Sequence, residues 1–180
     1  MVSVSRTNAQ ELLLGEWACL GILYPGPTHG FAIATRLKPT GDVGRVWSLS
    51  RPLTYRSLDQ LSNRGYIHAI GEEPGLAGGN RTILAATRTG RAQLRKWLNT
   101  HVAHLRDLRS ELLLKLIIAD LCNIDISAML ERQRSHIKRL ADVLQEQTTN
   151  STEPVDVVAL WRSESSEGAL RFLDRLPRSP

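Results

Sequence analysis

The sequence predicts a mainly helical α+β protein: an N-terminal winged helix-turn-helix with a two-stranded wing, followed by a helical C-terminal dimerisation domain. Residues 50–65 have the pattern of a short helix, and strand-like runs follow at 66–70 and 82–87, with a glycine-rich loop at 71–81 between them. Beyond residue 89, apolar residues recur at helical spacing along most of the chain. A helix that leads into such a hairpin is typical of a winged helix, in which the helix fits the DNA major groove and the hairpin reaches alongside it.

Two helices are predicted before this element. Apolar residues at helical spacing indicate helix one at 11–24, which the Pro-Gly-Pro sequence at 25–27 ends. Thr28 is a suitable N-cap for helix two at 29–38. The apolar face of helix two is supplied by Phe31, Ile33, Ala34 and Leu37. Residues 43–49 are expected to contain a short strand.

Helix three, the predicted recognition helix, begins after Ser50 and ends before Gly65, with Pro52 in its first turn. On a helical wheel, its core side is formed by Thr54, Ser57, Leu58 and Leu61. Its outer side carries Arg56, Asp59, Gln60 and Asn63, with Tyr55 at the boundary and Arg51 at the N-terminal end. Arg, Gln and Asn are the side chains that make bidentate contacts to base edges, although a solvated face without a partner has the same composition.

Four helices are predicted after the wing. Helix four begins at Thr89 and continues through Leu105, so it links two domains, 1–106 and 107–180. Helix five, at 108–121, is apolar on most sides, whereas helix six (126–147) and helix seven (155–176) each have one apolar face. The C-terminal helices are too few to enclose helix five, so we expect a second copy to cover it in a homodimer. A compact monomer, with helix five beneath helices four and seven, is the alternative.

The composition, with 42% hydrophobic and 23% charged residues among 180, is that of a globular protein. The longest apolar run, 112–119, is interrupted by Lys115 and is far shorter than the roughly 20 residues that cross a bilayer. The first residues do not have the pattern of a signal peptide. Cys19 and Cys122 lie within apolar helical patterns, which is typical of buried free thiols in a reducing compartment. We therefore expect a cytoplasmic protein without membrane contact.

The net charge of +5 is unevenly placed along the chain. Residues 1–95 carry 11 Lys and Arg against 6 Asp and Glu, whereas residues 96–180 carry 12 of each kind. The whole positive excess thus belongs to the half that contains the predicted winged helix. A polyanion such as DNA would be attracted to that half.

Several short motifs follow one another in a characteristic order. Helix one ends in Leu20-Gly21-Ile22-Leu23, and His29-Gly30-Phe31 comes next; then follow Leu53-Thr54-Tyr55-Arg56-Ser57-Leu58, Leu61 and Gly65-Tyr66-Ile67, and finally Thr87-Arg88-Thr89-Gly90-Arg91. These motifs are similar to the His-Gly-Tyr, Leu-Tyr-x-x-Leu…Leu…Gly-Leu-Ile and Thr-x-x-Gly-Arg motifs of PadR-type transcriptional regulators. The later run Glu111-Leu112-Leu113-Leu114-Lys115-Leu116 resembles the start of that family's longer dimerisation region. The chain thus resembles the family over nearly its whole length.

The second wing strand departs from this family pattern. Family members usually carry Arg-x-Tyr-Tyr-x-Leu-Thr there, whereas this chain has Arg81-Thr82-Ile83-Leu84-Ala85-Ala86-Thr87. The tyrosine hydroxyls and any contacts that they make are therefore absent, while Arg81 remains able to meet a phosphate or the minor groove.

The resemblance implies a homodimeric, ligand-responsive repressor that binds an inverted-repeat operator in double-stranded DNA, without a cofactor. Backbone N–H groups near Thr28 and Ser50, at the starts of helices two and three, suit phosphates. The predicted DNA contacts are Thr28, His29, Ser50, Arg51, Tyr55, Arg56, Gln60, Asn80 and Arg81. A small-molecule effector is expected between Trp17, Trp97 and the C-terminal helices, where it could tilt one domain against the other.

Two other classes of function, a metal-dependent enzyme and a protein-interaction module, are the alternatives. His101 and His104 have the spacing of metal ligands on a helix, but no nearby carboxylate or cysteine completes a site, so we expect no metal and no enzyme. The glycines of the 71–81 loop do not precede a helix, so they do not form a phosphate-binding loop. A winged helix used for protein contact is the second alternative. Steep salt dependence of binding would distinguish DNA binding from it.

Overall fold

The computed structural model describes residues 11–75, 79–149 and 156–176. Its N-terminal elements are α1 (Leu14–Leu23), β1 (Thr28–His29), α2 (Gly30–Arg36), α3 (Arg51–Asn63), β2 (Ile67–Pro74), β3 (Asn80–Ala86) and α4 (Arg88–Leu98). A 3₁₀ turn (Leu105–Asp107) and a π-helical turn (Leu108–Leu112) then lead into α5 (Leu113–Cys122), α6 (Ser127–Thr149) and α7 (Val157–Arg175). This is the winged-helix α+β fold that the sequence predicts. Gly78 and residue 155, the predicted start of helix seven, lie outside the described residues.

The wing belongs to a three-stranded antiparallel sheet with the order β1-β3-β2, not to an isolated two-stranded hairpin. Thr28 pairs with Leu84, and His29 pairs with Ile83. β2 and β3 are also longer than predicted, because the ladder continues outward to the pair of Pro74 and Asn80. The additional strand ties the start of α2 to the base of the wing.

The prediction that Thr28 caps helix two is wrong. Thr28 lies within β1, and the capping group is the imidazole of His29, whose Nδ1 accepts the Ala32 N–H at 3.0 Å. α2 is also shorter than predicted. The expected strand at 43–49 is a series of turns, in which the Gly44 N–H donates to the Arg36 carbonyl at 2.9 Å and the chain folds back over the end of α2.

The limits of helix three follow the prediction closely. The Ser50 hydroxyl accepts the Leu53 N–H at 3.4 Å, and Thr54, Leu58 and Leu61 are buried. Gly65 has a φ of +70°, a left-handed conformation that glycine adopts without strain, and it ends the helix. Local capping signals thus define α3 at both ends.

Helix four, in contrast, ends at Leu98 and does not continue through Leu105. It is capped by Thr87, whose hydroxyl accepts the Gly90 N–H at 3.0 Å and donates to the Gly65 carbonyl at 2.8 Å. An irregular segment, 99–104, follows. The connection between the winged helix and the C-terminal helices is therefore a bend after α4 and not a continuous helix.

The core is built around α1, which packs against α3, α4 and α5. The contact with α5 is close: a Cβ on Gly21 would lie 2.4 Å from Cδ1 of Ile118. The cover that the sequence analysis assigned to a second copy thus comes largely from α1 of the same chain. Leu114, Ile118 and Ala119 of α5 are buried, while Leu116 and Ile117 are half-buried.

Side chains of α6 hold the segment after α4 in place. The amide of Gln133 accepts the Val102 N–H at 2.7 Å and donates to the Val102 carbonyl at 3.0 Å. Arg132 donates to the Asn99 carbonyl at 2.7 Å, and Nε2 of His136 donates to the Ala103 carbonyl at 2.8 Å. α7 packs along α6. Among the described helices, none is both long and apolar enough to cross a membrane.

Candidate nucleic-acid interface

The outer face of α3 is open to solvent beside the wing. Arg51, Tyr55, Arg56 and Gln60 are exposed along it, as the helical wheel predicts. Arg56 and Gln60 are one helical turn apart, so their side chains lie on the same side of the helix. This face therefore presents a guanidinium and an amide together, the two groups that recognise guanine and adenine in the major groove.

A second group of side chains lies where α2, α3 and the wing meet. We call it the arginine–aromatic cluster: His29, Phe31, Arg51, Tyr55 and Arg81. The guanidinium carbons of Arg51 and Arg81 each lie 5.6 Å from the centroid of the Phe31 ring. The Arg51 guanidinium also lies 5.8 Å from the Tyr55 ring, within the range of cation–π attraction. Residues from four elements, β1, α2, α3 and β3, thus form one contiguous surface.

His29 holds this cluster in register with the wing. Because Nδ1 accepts the Ala32 N–H, the proton of the neutral ring must be on Nε2. That nitrogen lies 3.3 Å from Oε1 of Glu73 and 3.3 Å from Nη1 of Arg81. The histidine therefore caps α2 on one side and contacts both wing strands on the other.

The described residues of the wing strands are not basic overall. β2 carries Glu72 and Glu73, and β3 carries Arg81. The Asn80 amide donates to Oε2 of Glu72 at 2.8 Å across the hairpin. Asn80 is thus engaged within the wing, and the positive charge of this face comes from the two arginines of α3 together with Arg81.

A groove of about 720 Å³ lies between α3 and the wing. Its walls include the arginine–aromatic cluster, and Asp59 and Ser62 of α3 line it as well. At the outer end, the Gly75 N–H donates to the Gly79 carbonyl at 2.8 Å. The groove is therefore positive at the end near Phe31 and contains a carboxylate farther along α3.

The structure brings together four of the predicted contacts, His29, Arg51, Tyr55 and Arg81, around a residue that was not among them. The sequence predicts Phe31 on the apolar face of helix two, yet it is 46% exposed. On a helical wheel, Ile33, Ala34 and Leu37 fall within about 100° of one another, and Phe31 lies outside that arc. The position of Phe31 outside the apolar arc is the sequence signal that indicates its exposure. Thr28 is paired in the sheet and Ser50 caps α3, so both lie at the margin of the surface.

The two predicted effector residues also meet. The indole rings of Trp17 and Trp97 are stacked, with centroids 4.9 Å apart and planes at 9°. The ammonium of Lys115 lies 5.0 Å from the Trp97 ring, 2.8 Å from Oε1 of Glu111 and 2.6 Å from the Thr100 carbonyl. Burial lowers the pKa of Lys115, and the Glu111 carboxylate opposes that shift.

A cavity of about 710 Å³ adjoins this stack, and its wall includes Glu11, His101, His104 and Asp107. Because the indoles stack on each other, a molecule in the cavity would meet their edges and could not insert between them. The His101 and His136 rings lie 5.0 Å apart, and burial together with the neighbouring His136 lowers the pKa of His101. Within the described ranges, no three His, Cys, Asp or Glu side chains are arranged to hold a metal ion.

No protein-family model matches the chain, and neither does any curated protein. Three solved structures are similar in fold. PadR of Bacillus subtilis in complex with operator DNA has 20% identity over 88% of this chain and 95% of its own, with a TM-score of 0.46. PadR of Bacillus subtilis without DNA has 21% identity over 89% and 91%, with a TM-score of 0.43.

The third structure, smu.1604c from Streptococcus mutans, has 15% identity over 90% of this chain and 97% of its own, with a TM-score of 0.44. Two of the three are thus PadR proteins, the family that the sequence resembles. At these identities and TM-scores, the match by itself assigns neither a family nor a function to this chain.

Proposed function

We propose that this protein is a DNA-binding transcriptional regulator whose α3 enters the major groove. The observation that carries the proposal is the exposed face of α3, where Arg51, Tyr55, Arg56 and Gln60 stand beside the wing. A helix fits the major groove, and guanidinium and amide groups at its surface recognise base edges there. A face used for protein contact would be more apolar at its centre.

The contacts divide by position into two kinds. Arg56 and Gln60, on the outer side of α3, are the proposed readers of base edges. The residues at the margin are proposed to touch the sugar–phosphate backbone, which sets orientation and not sequence preference. They are Thr28, His29, Ser50, Arg51, Tyr55, Asn80 and Arg81.

Selection of DNA from a random library with the purified protein tests this proposal. We expect an inverted repeat whose half-site centres are about one helical turn, or a multiple of it, apart. Arg56→Ala should weaken binding to the selected site by about 1–3 kcal/mol and relax the preference at one position. Arg106→Ala is the matched control, since that guanidinium is 80% exposed but lies outside the interface. Recovery of no preferred sequence, together with binding that salt does not weaken, would favour the protein-contact alternative.

We further propose that the protein acts as a homodimeric repressor in the cytoplasm, with residues 1–106 for DNA binding and 107–180 for dimerisation. Val157, Val158 and Trp161 of α7 are 75%, 56% and 72% exposed, and Phe172 is 38% exposed. At 100° per residue, these four fall within about 100° of the helix circumference. Such a stripe of large, exposed apolar side chains on a helix that packs mainly on α6 suits a second copy of the same helix.

Sedimentation equilibrium tests the dimer. Trp161→Asp should shift the protein to the monomer, because it introduces a charge into the proposed apolar interface. Glu167→Gln, on another side of α7, should leave the mass unchanged. A wild-type protein that sediments as a monomer would remove the dimer from the proposal and, with it, the expectation of an inverted repeat.

The cavity beside Trp17 and Trp97 is the proposed effector site. It borders α4, whose N-terminal Thr87 is bonded to the turn after α3, so a ligand there has a short structural route to the DNA-binding face. A ligand that binds one arrangement of these helices more tightly shifts the protein towards that arrangement. The DNA affinity then changes by a factor that this difference in ligand affinity sets. Compounds that raise the melting temperature should therefore be tested for altered DNA affinity, with Lys115→Met as a variant of the cavity wall. A compound that binds the cavity with no effect on DNA affinity would contradict this assignment.

A further inference from the structure

We infer that the arginine–aromatic cluster is a clamp for one sugar–phosphate strand, in which Phe31 positions the guanidiniums of Arg51 and Arg81. The inference rests on the proposed function, because it names a contact of the same DNA-binding face. It adds a residue that the sequence did not single out and assigns the groove between α3 and the wing to the DNA backbone.

The first support is convergence. Arg51 begins α3 and Arg81 lies in β3, yet both guanidinium carbons are 5.6 Å from the same ring. Phe31 belongs to neither element, since it lies in the first turn of α2. Its ring is thus the common contact that keeps two cations from separate elements close together. Without it, two like charges would separate to the limits of their flexible side chains.

The second support is charge. Among the described residues, neither guanidinium forms an ion pair; the carboxylate of Glu73 lies 3.3 Å from Nε2 of His29 instead. Arg36, in contrast, is neutralised locally by Asp42. Two neighbouring guanidiniums with open donors form a complement for a phosphodiester, whose oxygens accept from the guanidinium fork.

The third support is position. When α3 lies in the major groove, one strand borders the helix and passes between it and the hairpin, which is where the groove of about 720 Å³ runs. Asp59 lines the same groove along α3 and would repel a phosphate. The phosphate therefore lies at the Phe31 end. The exposed part of the Phe31 ring is then available for apolar contact with the adjacent deoxyribose.

A double-mutant cycle tests the clamp. The variants are Phe31→Leu, Arg81→Gln and the pair, and the probe is a fluorescein-labelled duplex of about three helical turns, followed by fluorescence anisotropy. We expect Phe31→Leu to weaken binding about fivefold without a change of charge, and Arg81→Gln to reduce the salt slope by about 2, because one contact is lost from each protomer of the dimer. The loss from Arg81→Gln should be clearly smaller in the Phe31→Leu background than in the wild type.

Two controls keep the result interpretable. Phe31→Tyr retains the aromatic ring and should keep both the DNA affinity and the coupling to Arg81. A side chain that only fills the space, without an aromatic ring, should keep neither. Phe31→Leu should have the melting temperature of the wild type within a few degrees, since the ring is half-exposed and Leu retains most of its apolar contact. A clamp on the backbone also predicts the same fold-loss on duplexes of unrelated sequence, including a selected site.

The outcomes separate the inference from the proposed function. Independent losses, whose factors multiply, would overturn the clamp, and so would a Phe31→Leu loss that changes with DNA sequence, because Phe31 would then contact bases. An unchanged affinity of Phe31→Leu would overturn it as well. If the wild type binds no duplex at low salt, the proposed function fails and the clamp fails with it.

Discussion

Replacement of Gln133 by Leu should be among the most destabilising single changes in the C-terminal helices. The Gln133 amide is fully buried and forms both hydrogen bonds of the Val102 backbone, at 2.7 and 3.0 Å. Val102 is itself 1% exposed, so water cannot replace the lost partner. Leu has a similar volume, so the effect reports the hydrogen bonds more than a cavity.

The size of the effect follows from the two groups left without a partner. An unsatisfied buried N–H or C=O costs about 1–3 kcal/mol. Two such groups, less a small gain from burying an apolar side chain, give a loss of about 3 kcal/mol in the free energy of unfolding. For a protein of this length, that corresponds to a fall in melting temperature of roughly 6–12 °C.

Urea denaturation followed by circular dichroism measures this loss, and Arg132→Leu is the matched control. Arg132 bonds the Asn99 carbonyl of the same segment at 2.7 Å, but it is exposed, so water can take its place. We expect the control to lose no more than about 1 kcal/mol. Equal losses for the two variants, or a loss below about 1 kcal/mol for Gln133→Leu, would refute the claim that this buried amide fastens α6 to the segment after α4.

Three further predictions concern Lys115, the two cysteines and the N-terminal cap of α4. Burial lowers the pKa of Lys115, so at pH values between that lowered pKa and about 10.4 the unfolded chain binds more protons than the folded one. In urea titrations, the free energy of unfolding of the wild type relative to that of Lys115→Met should therefore rise with pH over this range. Burial raises the pKa of Cys19 to about 12, and the partial burial of Cys122 raises its pKa to about 11. Both thiols should therefore react with Ellman's reagent at about pH 8 far more slowly in the folded protein than in urea. Labelling of Cys19 that is as fast without urea as in urea would contradict its burial. Thr87→Ala should lower the free energy of unfolding by about 1–2 kcal/mol through loss of the α4 cap, whereas Thr87→Ser should retain most of it in the same urea titration.

The elements that sequence reasoning predicted well are those defined by neighbouring residues. α3 has a capping hydroxyl at Ser50, Pro52 in its first turn and Gly65 at its end, and each of these signals acts within a few residues. The buried face of the helix follows from its apolar spacing alone. Because the apolar residues define the buried face, the remaining residues, Arg56 and Gln60 among them, must lie on the outer face. This half of the candidate site could therefore be predicted from the sequence.

The features that were missed depend on residues far apart in the chain. β1 exists because Thr28 and His29 pair with Leu84 and Ile83, and that pairing takes Thr28 away from the capping position. The cluster around Phe31 needs Arg51 and Arg81 to arrive from two other elements. No local pattern encodes such contacts, because they form only after the wing folds back onto α2.

The same distinction changes what the charge of the N-terminal half means. Several of its arginines bond within the fold: Arg36 pairs with Asp42, Arg45 donates to the Asp42 carbonyl at 3.1 Å, and Arg95 donates to the Tyr24 hydroxyl at 2.7 Å. Arg91 donates to the Tyr24 carbonyl. These arginines keep their charge, but their donors are engaged within the fold, so fewer than the 11 basic residues of this half are available to contact a phosphate.

The salt dependence of DNA binding measures the charge that remains on the face. Arg51, Arg56 and Arg81 lie there, so each protomer should neutralise about three phosphates. At about −0.9 per phosphate, a dimer should have a slope of log K against log salt of roughly −5. If every basic residue of the N-terminal half took part, the slope would be several times steeper. A measured slope near zero would refute the DNA-binding face, and one far steeper than −5 would mean that basic residues outside it also reach the DNA.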